Sequence, residues 1–343
     1  TGIVLLPTGT GKTFVQAAII ARDILKHKKK FKMYVVNAPR IMLSYQLLKE
    51  VYSFLVSNGI EARYMCVHSG GQADIEDLEK IRVESNLDGN NIPFSEIGSG
   101  TSTSSITDMI QAAKTQDLPL IFFSTYNSAE RIEDSRVLFD KIEIIMNDEA
   151  HYLVQERFHD ILNTLKSNRC YFFTATTVHT PSDTGRGMNN VGSYGEVIYK
   201  MSPREAIDRG KMVRPRMHFV LSKGAYNKDD FQTSLGLIIA ESFAQHRYAI
   251  GNFSKPKILV SVKGVGDIKK FFESKEYKGL IRTGVDIYAV ASDESIGNNI
   301  NGEKVSRQEF LRRLKVAGRD HTKELIVLHY DILAEGIDVS GFS

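Results

Sequence analysis

The chain has 343 residues, 25% of them charged and 42% hydrophobic, with a formal net charge of +3. This length predicts about two domains, each with its own core. The small net charge excludes a globally basic, histone-like protein, so any contact with nucleic acid must be local. The two cysteines form no CxxC pair, which disfavours a zinc site or disulfide framework and favours a reducing, cytoplasmic location. Because no apolar run reaches 18 residues, we expect no membrane partner.

The first predicted elements are a strand at Ile3–Leu6 and a helix at Lys12–His27, joined by a glycine-rich loop. Backbone N–H groups of such a loop can hold phosphate oxygens, and the helix dipole favours the same anion. Leu6 stands where the usual phosphate-loop pattern has its first glycine. We expect Lys12 to reach the terminal phosphates of ATP and the hydroxyl of Thr13 to bind Mg²⁺. The full set expected to hold the nucleotide is Thr8, Gly9, Thr10, Gly11, Lys12 and Thr13.

Apolar strand-length runs then alternate with helix-length amphipathic segments, which predicts an α/β fold with a mainly parallel sheet. The further strands of the first half are Met33–Ala38, Ala62–Val67, Leu120–Thr125, Glu143–Asn147 and Cys170–Thr174. Its further helices are Met42–Asn58, Ile106–Thr115 and Glu156–Ser167. Two polar, glycine-containing segments, Ser85–Ser105 and Thr180–Ser193, are predicted to be irregular surface loops.

The string NDEAH directly follows the strand Glu143–Asn147. This position places two carboxylates at the C-terminal edge of a strand, where open α/β sheets bind ligands. We therefore expect Asp148 to bind Mg²⁺ and Glu149 to orient or deprotonate the attacking water. The string HSGGQ at His68–Gln72 resembles the signature of ABC-type ATPases, but it lies far ahead of Asp148. We interpret it as a turn after a strand.

A helix start at Ser202-Pro203-Arg204-Glu205 separates the two halves, and Gly210 ends this short helix. The predicted domains are residues 1–200 and 216–343, joined by a linker at residues 201–215. The strands predicted in the second half are Met217–Leu221, Lys257–Val262, Val285–Ala291 and Glu324–His329. Its predicted helices are Asp229–Arg247, Val265–Ser274 and Arg307–Ala317.

Short polar strings follow several of these strands, and their order along the chain is informative. They are Pro39-Arg40, Thr125-Tyr126-Asn127-Ser128, Thr174-Ala175-Thr176, Ile258–Lys263 and Leu333–Gly341. Together with the phosphate loop and NDEAH, they resemble the motifs of superfamily-two helicases and translocases of DEAH type. The strings STYNS and LAEGIDVSG look most like those of restriction-enzyme and phage-type DNA translocases.

This resemblance implies two tandem RecA-like domains with mainly parallel sheets and an ATP site at the interdomain cleft. It implies an ATP hydrolase that uses ATP and Mg²⁺ to move along a nucleic-acid strand, with DNA favoured over RNA. His151, Thr174 and Thr176 would couple hydrolysis to domain movement, and Gly336 and Asp338 would approach the nucleotide from the second domain. Nucleic acid would be contacted by Pro39, Arg40, Thr125, Tyr126, Ser128 and Lys263.

The resemblance also implies an adenine-recognising segment ahead of the phosphate loop and an arginine-finger motif after Gly341. Neither is found in the sequence, so we expect a fragment of a longer protein, with nuclease or methyltransferase domains as candidate neighbours. Two alternatives remain open. One is a phosphate-loop ATPase switch or motor that does not act on nucleic acid, and the other is an inactive remnant that only binds.

Overall fold

The structure of the protein is a computed structural model that describes residues 1–68, 97–100, 102–135, 141–181, 185–214, 228–251, 255–291 and 293–330. The chain divides into two compact units, Thr1–Met217 and His218–Ser343. The predicted strand Met217–Leu221 and most of the string at His68–Gln72 lie outside the described residues. So does the segment Leu333–Gly341, with Gly336 and Asp338.

The first unit contains one parallel sheet of eight strands in the order β4-β3-β5-β2-β6-β7-β1-β8. The strands are β1 Gly2–Leu5, β2 Met33–Ala38, β3 Arg63–Val67, β4 Ile97–Gly100, β5 Leu120–Thr125, β6 Ile142–Asn147, β7 Ser167–Thr174 and β8 Glu196–Lys200. The helices are α1 Lys12–Lys26, α2 Ile41–Ser57, Thr103–Thr115, Glu130–Glu133, Glu156–His159, Ile161–Thr164, Val191–Tyr194 and Pro203–Asp208. Single 3-10 turns cover Tyr126–Ser128 and Ala150–Val154.

Hydrophobic core clusters cover both faces of this sheet. Tyr34 and Val36 of β2 pack with α1 and α2, whereas Met33 and Val35 pack on the opposite face with the helix Thr103–Thr115. Alternate residues of one strand therefore enter different cores, and all six residues of β2 are buried. Burial on both faces explains why these strands have continuous apolar sequences. The predicted α/β class with a mainly parallel sheet is confirmed.

The structure corrects several predicted elements of the first unit. Ile97–Gly100, expected within a surface loop, forms β4 beside β3, although its sequence IGSG has few strand-favouring side chains. The single helix predicted at Glu156–Ser167 is two short helices, and the last of these residues already begins β7. Strand β8 was missed altogether.

The short helix after β8 begins as predicted. The Ser202 hydroxyl accepts a hydrogen bond from the Glu205 N–H at 3.1 Å, and Pro203 occupies the first turn. Such a cap contributes about 1 kcal/mol to helix stability. The Met201 N–H donates to the Leu5 carbonyl at 2.9 Å, and Ala206 is buried. The first half of the segment predicted as a linker therefore packs on the first unit.

A network of charged side chains joins α1 to the N-terminal ends of β6 and β7. Asp23 on α1 is buried, accepts a hydrogen bond from the Tyr34 hydroxyl at 3.0 Å, and is paired with Arg169 of β7. Arg169 also donates to Glu143 of β6 at 2.7 Å. Burial alone would raise the pKa of Glu143, but hydrogen bonds from Arg169 and Asn168 bring it below its ordinary value.

The second unit contains a five-stranded sheet in the order β12-β11-β10-β13-β9. The central pairings of β9, β13 and β10 are parallel, and the hairpin of β11 and β12 adds antiparallel strands. These strands are β9 Lys257–Ser261, β10 Asp286–Val290, β11 Asn298–Ile300, β12 Glu303–Val305 and β13 Leu325–His329. The helices are Lys228–Ile250, Val265–Glu273, Lys275–Arg282 and Arg307–Arg319.

One helix and one hairpin of the second unit were not predicted. The helix Lys275–Arg282 buries no residue completely, and its apolar residues Tyr277, Leu280 and Ile281 pack half-buried against the core of this unit. The β11–β12 hairpin turns at Asn301-Gly302, where both residues have positive φ, 54° and 93°. Asn-Gly between two strands is a strong hairpin signal that was not used. Among the described residues, no helix combines the length and the apolar character needed to cross a membrane.

Candidate nucleotide-binding site

The phosphate loop leaves the buried strand β1 and enters α1 through two glycines with positive φ, Gly9 at 79° and Gly11 at 90°. This region is strained for other residue types, so glycine is required here by conformation. The Leu6 N–H donates to the Thr174 carbonyl at 3.0 Å, and the Thr10 hydroxyl donates to the Pro7 carbonyl at 2.6 Å. The loop is thus braced at its base, while Thr8, Gly9 and Gly11 are exposed to solvent.

Asp148 lies immediately after β6 and is only 4% exposed. Its N–H donates to the Asn37 carbonyl at 2.8 Å, and its carboxylate oxygen Oδ1 accepts a hydrogen bond from Gln16 Nε2 at 2.8 Å. The Asp148 carbonyl accepts a hydrogen bond from the Tyr126 hydroxyl at 2.5 Å. The backbone and the side chain of Asp148 are therefore both held by hydrogen bonds. The carboxylate lies at the edge of the sheet where α1 begins.

The charge of Asp148 is unfavourable in this environment. Burial and the neighbouring Glu149 raise the pKa of Asp148 to about 7, although Lys12 and the hydrogen bond from Gln16 act in the opposite direction. A divalent cation would compensate such a buried carboxylate. Carboxylate and hydroxyl oxygens are ligands that Mg²⁺ accepts. Asp148 and the half-buried Thr13 therefore fit the predicted magnesium site by their chemistry.

Glu149 has an unusual backbone conformation, with φ 48° and ψ 48°. Left-handed geometry is uncommon for a residue with a long side chain and is found at functional sites. One carboxylate oxygen of Glu149 lies 3.3 Å from Lys12 Nζ, and the other lies 3.4 Å from His151 Nδ1. Three of the residues predicted for catalysis and coupling thus meet in one cluster.

His151 connects this cluster to the end of β7. Its Nδ1 lies 3.1 Å from the Thr174 hydroxyl, which donates to the Thr176 carbonyl at 2.9 Å. Because the one hydroxyl proton of Thr174 is used in that bond, His151 Nδ1 has to carry the proton of the shared contact. The Thr176 N–H also donates to the Thr174 hydroxyl oxygen, at 3.3 Å. The three residues predicted to couple hydrolysis to movement are therefore in contact.

Sequence reasoning missed the polar residues that support Asp148. Gln16 and Asn37 are both fully buried, and Asn37 Nδ2 donates to the side chain of Asn147 at 3.0 Å. In the sequence, each of them is a polar residue at a position where the helix or strand pattern predicts an apolar one. Gln16 lies on the buried face of α1, and the two asparagines lie within otherwise apolar strands.

The residues predicted to contact nucleic acid are placed unequally. Arg40 is exposed and Pro39 half-buried just after β2, while Lys263 is exposed in the second unit. Thr125, Tyr126 and Ser128 are buried instead, with Thr125 donating to the Ser128 hydroxyl at 3.0 Å. Their side chains hold the turn after β5 together and do not face solvent, and the contact of this turn with nucleic acid stays a prediction.

Asn127, omitted from the predicted set, is the exposed residue of that turn. Strands β2 and β5 are neighbours, with Ala38 opposite Thr125. Arg40 and Asn127 each follow two residues later, so the register places them at equivalent positions beyond adjacent strand ends. No sequence signal marked Asn127, because the burial of its neighbours Tyr126 and Ser128 is known only from the structure.

The raised pKa of Asp148 predicts a pH-dependent stability in metal-free protein. The pKa of Asp148 is 3.8 in an ordinary environment and about 7 in the folded chain. At pH values between these two, the folded chain holds a proton on Asp148 that the unfolded chain releases. Stability from this group is therefore present at low pH and lost as the pH rises through 7. In EDTA at pH 8, we expect Asp148→Asn to melt several degrees above wild type, since ~1 kcal/mol corresponds to ~2–4 °C.

The measurement is the difference in melting temperature between the two proteins at pH 5 and pH 8. The difference should shrink toward pH 5, where Asp148 is protonated and resembles asparagine. Adding Mg²⁺ at pH 8 should stabilise wild type and leave Asp148→Asn unaffected. A difference that is the same at both pH values would contradict the assignment.

Comparison with solved structures finds chains of similar fold. The structure titled "ATP-dependent Type ISP restriction-modification enzyme LlaBIII bound to DNA" matches with a TM-score of 0.65 and 18% identity, over 100% of this chain and 24% of that one. "DEAD-box helicase Mss116 bound to ssRNA and UDP-BeF" matches with a TM-score of 0.52 and 16% identity, over 99% and 59%. The chain thus spans about a quarter of the first structure's length. At these identities the likeness shows the fold, and it confirms the predicted RecA-like α/β architecture.

A search of curated proteins gives no match. A family profile matches more than half of the chain, over residues 1–179, and is described as "Type III restriction enzyme, res subunit", ResIII. The match begins ahead of the phosphate loop and extends past Asp148, Glu149 and Thr176. The predicted resemblance to superfamily-two ATPases of restriction-enzyme type is confirmed, and the chain belongs to the ResIII family.

Proposed function

We propose that this chain is the ATP-hydrolysing core of a helicase or translocase that moves along DNA. The observation that carries the proposal is the cluster in which Lys12, Glu149, His151 and Thr174 connect the phosphate loop to the ends of β6 and β7. A scaffold that only binds a ligand would not need a buried carboxylate at Asp148 together with the ion pair of Lys12 and Glu149.

In the proposed reaction, the backbone of the phosphate loop and Lys12 hold the phosphates of ATP. Thr13 and Asp148 bind Mg²⁺, which neutralises charge on the phosphates when it is present. Glu149 orients the attacking water and accepts its proton. Lys12 must leave Glu149 to reach the phosphates, so ATP binding releases the carboxylate for its role. His151 and Thr174 then transmit the state of Glu149 to the end of β7.

The nucleic-acid strand would run past the C-terminal ends of β2 and β5. Arg40 and Asn127 are exposed there in equivalent register and offer a cation and an amide to backbone phosphates. Pro39 would shape the same turn, and Lys263 would contribute from the second unit. Contacts of this kind are tolerant of sequence and sensitive to salt.

DNA is proposed as the substrate because the family and the LlaBIII structure are those of restriction enzymes. The name of the LlaBIII enzyme refers to both restriction and modification of DNA, so nuclease or methyltransferase domains are proposed as partners. The alternative is an ATPase that does not act on nucleic acid. It is disfavoured by the exposed positions of Arg40 and Asn127 beyond the ends of two adjacent strands.

ATPase stimulation by nucleic acid decides between the two. We expect ATP turnover to rise with added duplex or single-stranded DNA, and the half-saturating DNA concentration to increase steeply with salt. Arg40→Ala should weaken stimulation on all sequences and lower the salt slope by ~1, as loss of one phosphate contact predicts.

Lys26→Ala is the matched control, because it removes an exposed cation at the far end of α1. It should leave the stimulation and its salt slope unchanged. Equal turnover with and without DNA or RNA would reject the nucleic-acid motor and favour the alternative. Stimulation by RNA alone would reject the choice of DNA.

A further inference from the structure

Gln16 is a fully buried polar residue on the face of α1 that packs on the sheet. Of the five other buried residues of α1, four are apolar, Ala17, Ile20, Ala21 and Ile24, and the fifth is the ion-paired Asp23. Its Nε2 donates to Asp148 Oδ1 at 2.8 Å, across 132 positions of sequence. The other amide atom, Oε1, is buried without a hydrogen-bond partner among the described residues.

A buried glutamine with an unpaired acceptor destabilises the fold, and packing alone does not explain why it is present here. An unpaired buried acceptor destabilises a fold by ~1–3 kcal/mol, and an apolar side chain of similar size would avoid this. The amide is also neutral, so it orients the Asp148 carboxylate without competing as a cation for its charge. Lys12, the nearest ammonium group in this cluster, is paired with Glu149 instead.

We infer that Gln16 is a positioning residue for magnesium binding by Asp148, an inference that rests on the proposed function. Its donated hydrogen bond fixes Oδ1, so the remaining carboxylate oxygen keeps one orientation toward the cation. Residues that orient a metal ligand in this way typically change metal affinity by ~10–100-fold when replaced.

The test is Gln16→Met, which keeps the length and volume of the side chain but removes the donor and the acceptor. Binding of a fluorescent ATP analogue is titrated with Mg²⁺ and, separately, in EDTA. We expect the half-saturating Mg²⁺ concentration to rise by ~10–100-fold. Affinity for the analogue in EDTA should stay within about twofold of wild type, because the phosphate loop is untouched.

Two further variants separate positioning from loss of packing. Ile20→Val shortens a buried residue one turn along the same helix, and it should destabilise the protein while keeping the Mg²⁺ requirement of wild type. Gln16→Asn keeps the amide but is one carbon shorter. It should therefore lose the contact with Asp148 and raise the Mg²⁺ requirement even if Gln16→Met does not fold.

The outcomes are distinguishable. A wild-type protein whose affinity for the analogue does not respond to Mg²⁺ would reject the proposed magnesium site itself. A wild type that responds, with Gln16 variants that need no more Mg²⁺ than wild type, would reject the role of Gln16 alone. An equal rise in Ile20→Val would also reject it, by assigning the effect to packing.

Discussion

Lys12→Ala is expected to abolish ATP-dependent activity in the full-length protein, with kcat/KM falling at least ~100-fold. Removal of one preorganised charge from a phosphate site has an effect of this size, because the charge acts where water is excluded. Lys12 is well placed for this role, since it begins α1 and its side chain is only 9% exposed. Steady-state ATP hydrolysis with saturating DNA is the measurement.

The control for this variant is again Lys26→Ala on the same helix, which should retain wild-type turnover. The structure adds a second expectation. In Lys12→Ala, Glu149 loses its cationic partner at 3.3 Å, so ATP binding should also weaken through repulsion between the carboxylate and the phosphates. A Lys12→Ala protein with normal turnover would remove the phosphate loop from the mechanism.

Glu149→Gln is expected to keep ATP binding and to lower turnover by ~10²–10⁴, the contribution of a positioned general base. An amide cannot accept the proton of water, but it has the same shape as the carboxylate. The substitution also ends the ion pair with Lys12, so ATP should bind at least as tightly as in wild type. Binding of a fluorescent ATP analogue and single-turnover hydrolysis measure the two effects separately.

Glu61→Gln, at an exposed position of the same unit, makes the same chemical change away from the site and should behave as wild type. Normal turnover in Glu149→Gln would contradict the role of Glu149 as the base. Loss of both binding and turnover would indicate that Glu149 holds the loop in place and does not take part in the chemistry.

The sheet of the first unit could be predicted well because its strands are buried on both faces. Met33–Ala38 and Leu120–Thr125 were predicted with the bounds that the structure gives them. Continuous apolar sequence is a sufficient signal where burial is complete. It fails for β4, whose four residues IGSG are held in the sheet by pairing with β3 and not by their own preference.

The candidate site was predictable in its residue types but not in its contacts. The phosphate loop and the Asp-Glu string follow known strand–loop patterns, so Lys12, Asp148 and Glu149 could be identified from sequence. The contact of Gln16 with Asp148 joins positions 132 residues apart, which no local pattern reports. Burial of Tyr126 likewise depends on its bond to the Asp148 backbone, a tertiary contact.

Hydrogen bonds and ion pairs connect helix α1 to β6 near both ends of the helix. Gln16 holds the carboxylate that follows the strand, and Asp23 reaches Glu143 at the strand's beginning through Arg169. With two attachments along its length, α1 is held in place on β6. The proposed phosphate loop and the proposed cation ligand Asp148 therefore belong to one tightly connected part of the first unit. If the proposed ATPase closes around its nucleotide, we expect the rest of the protein to move against this part.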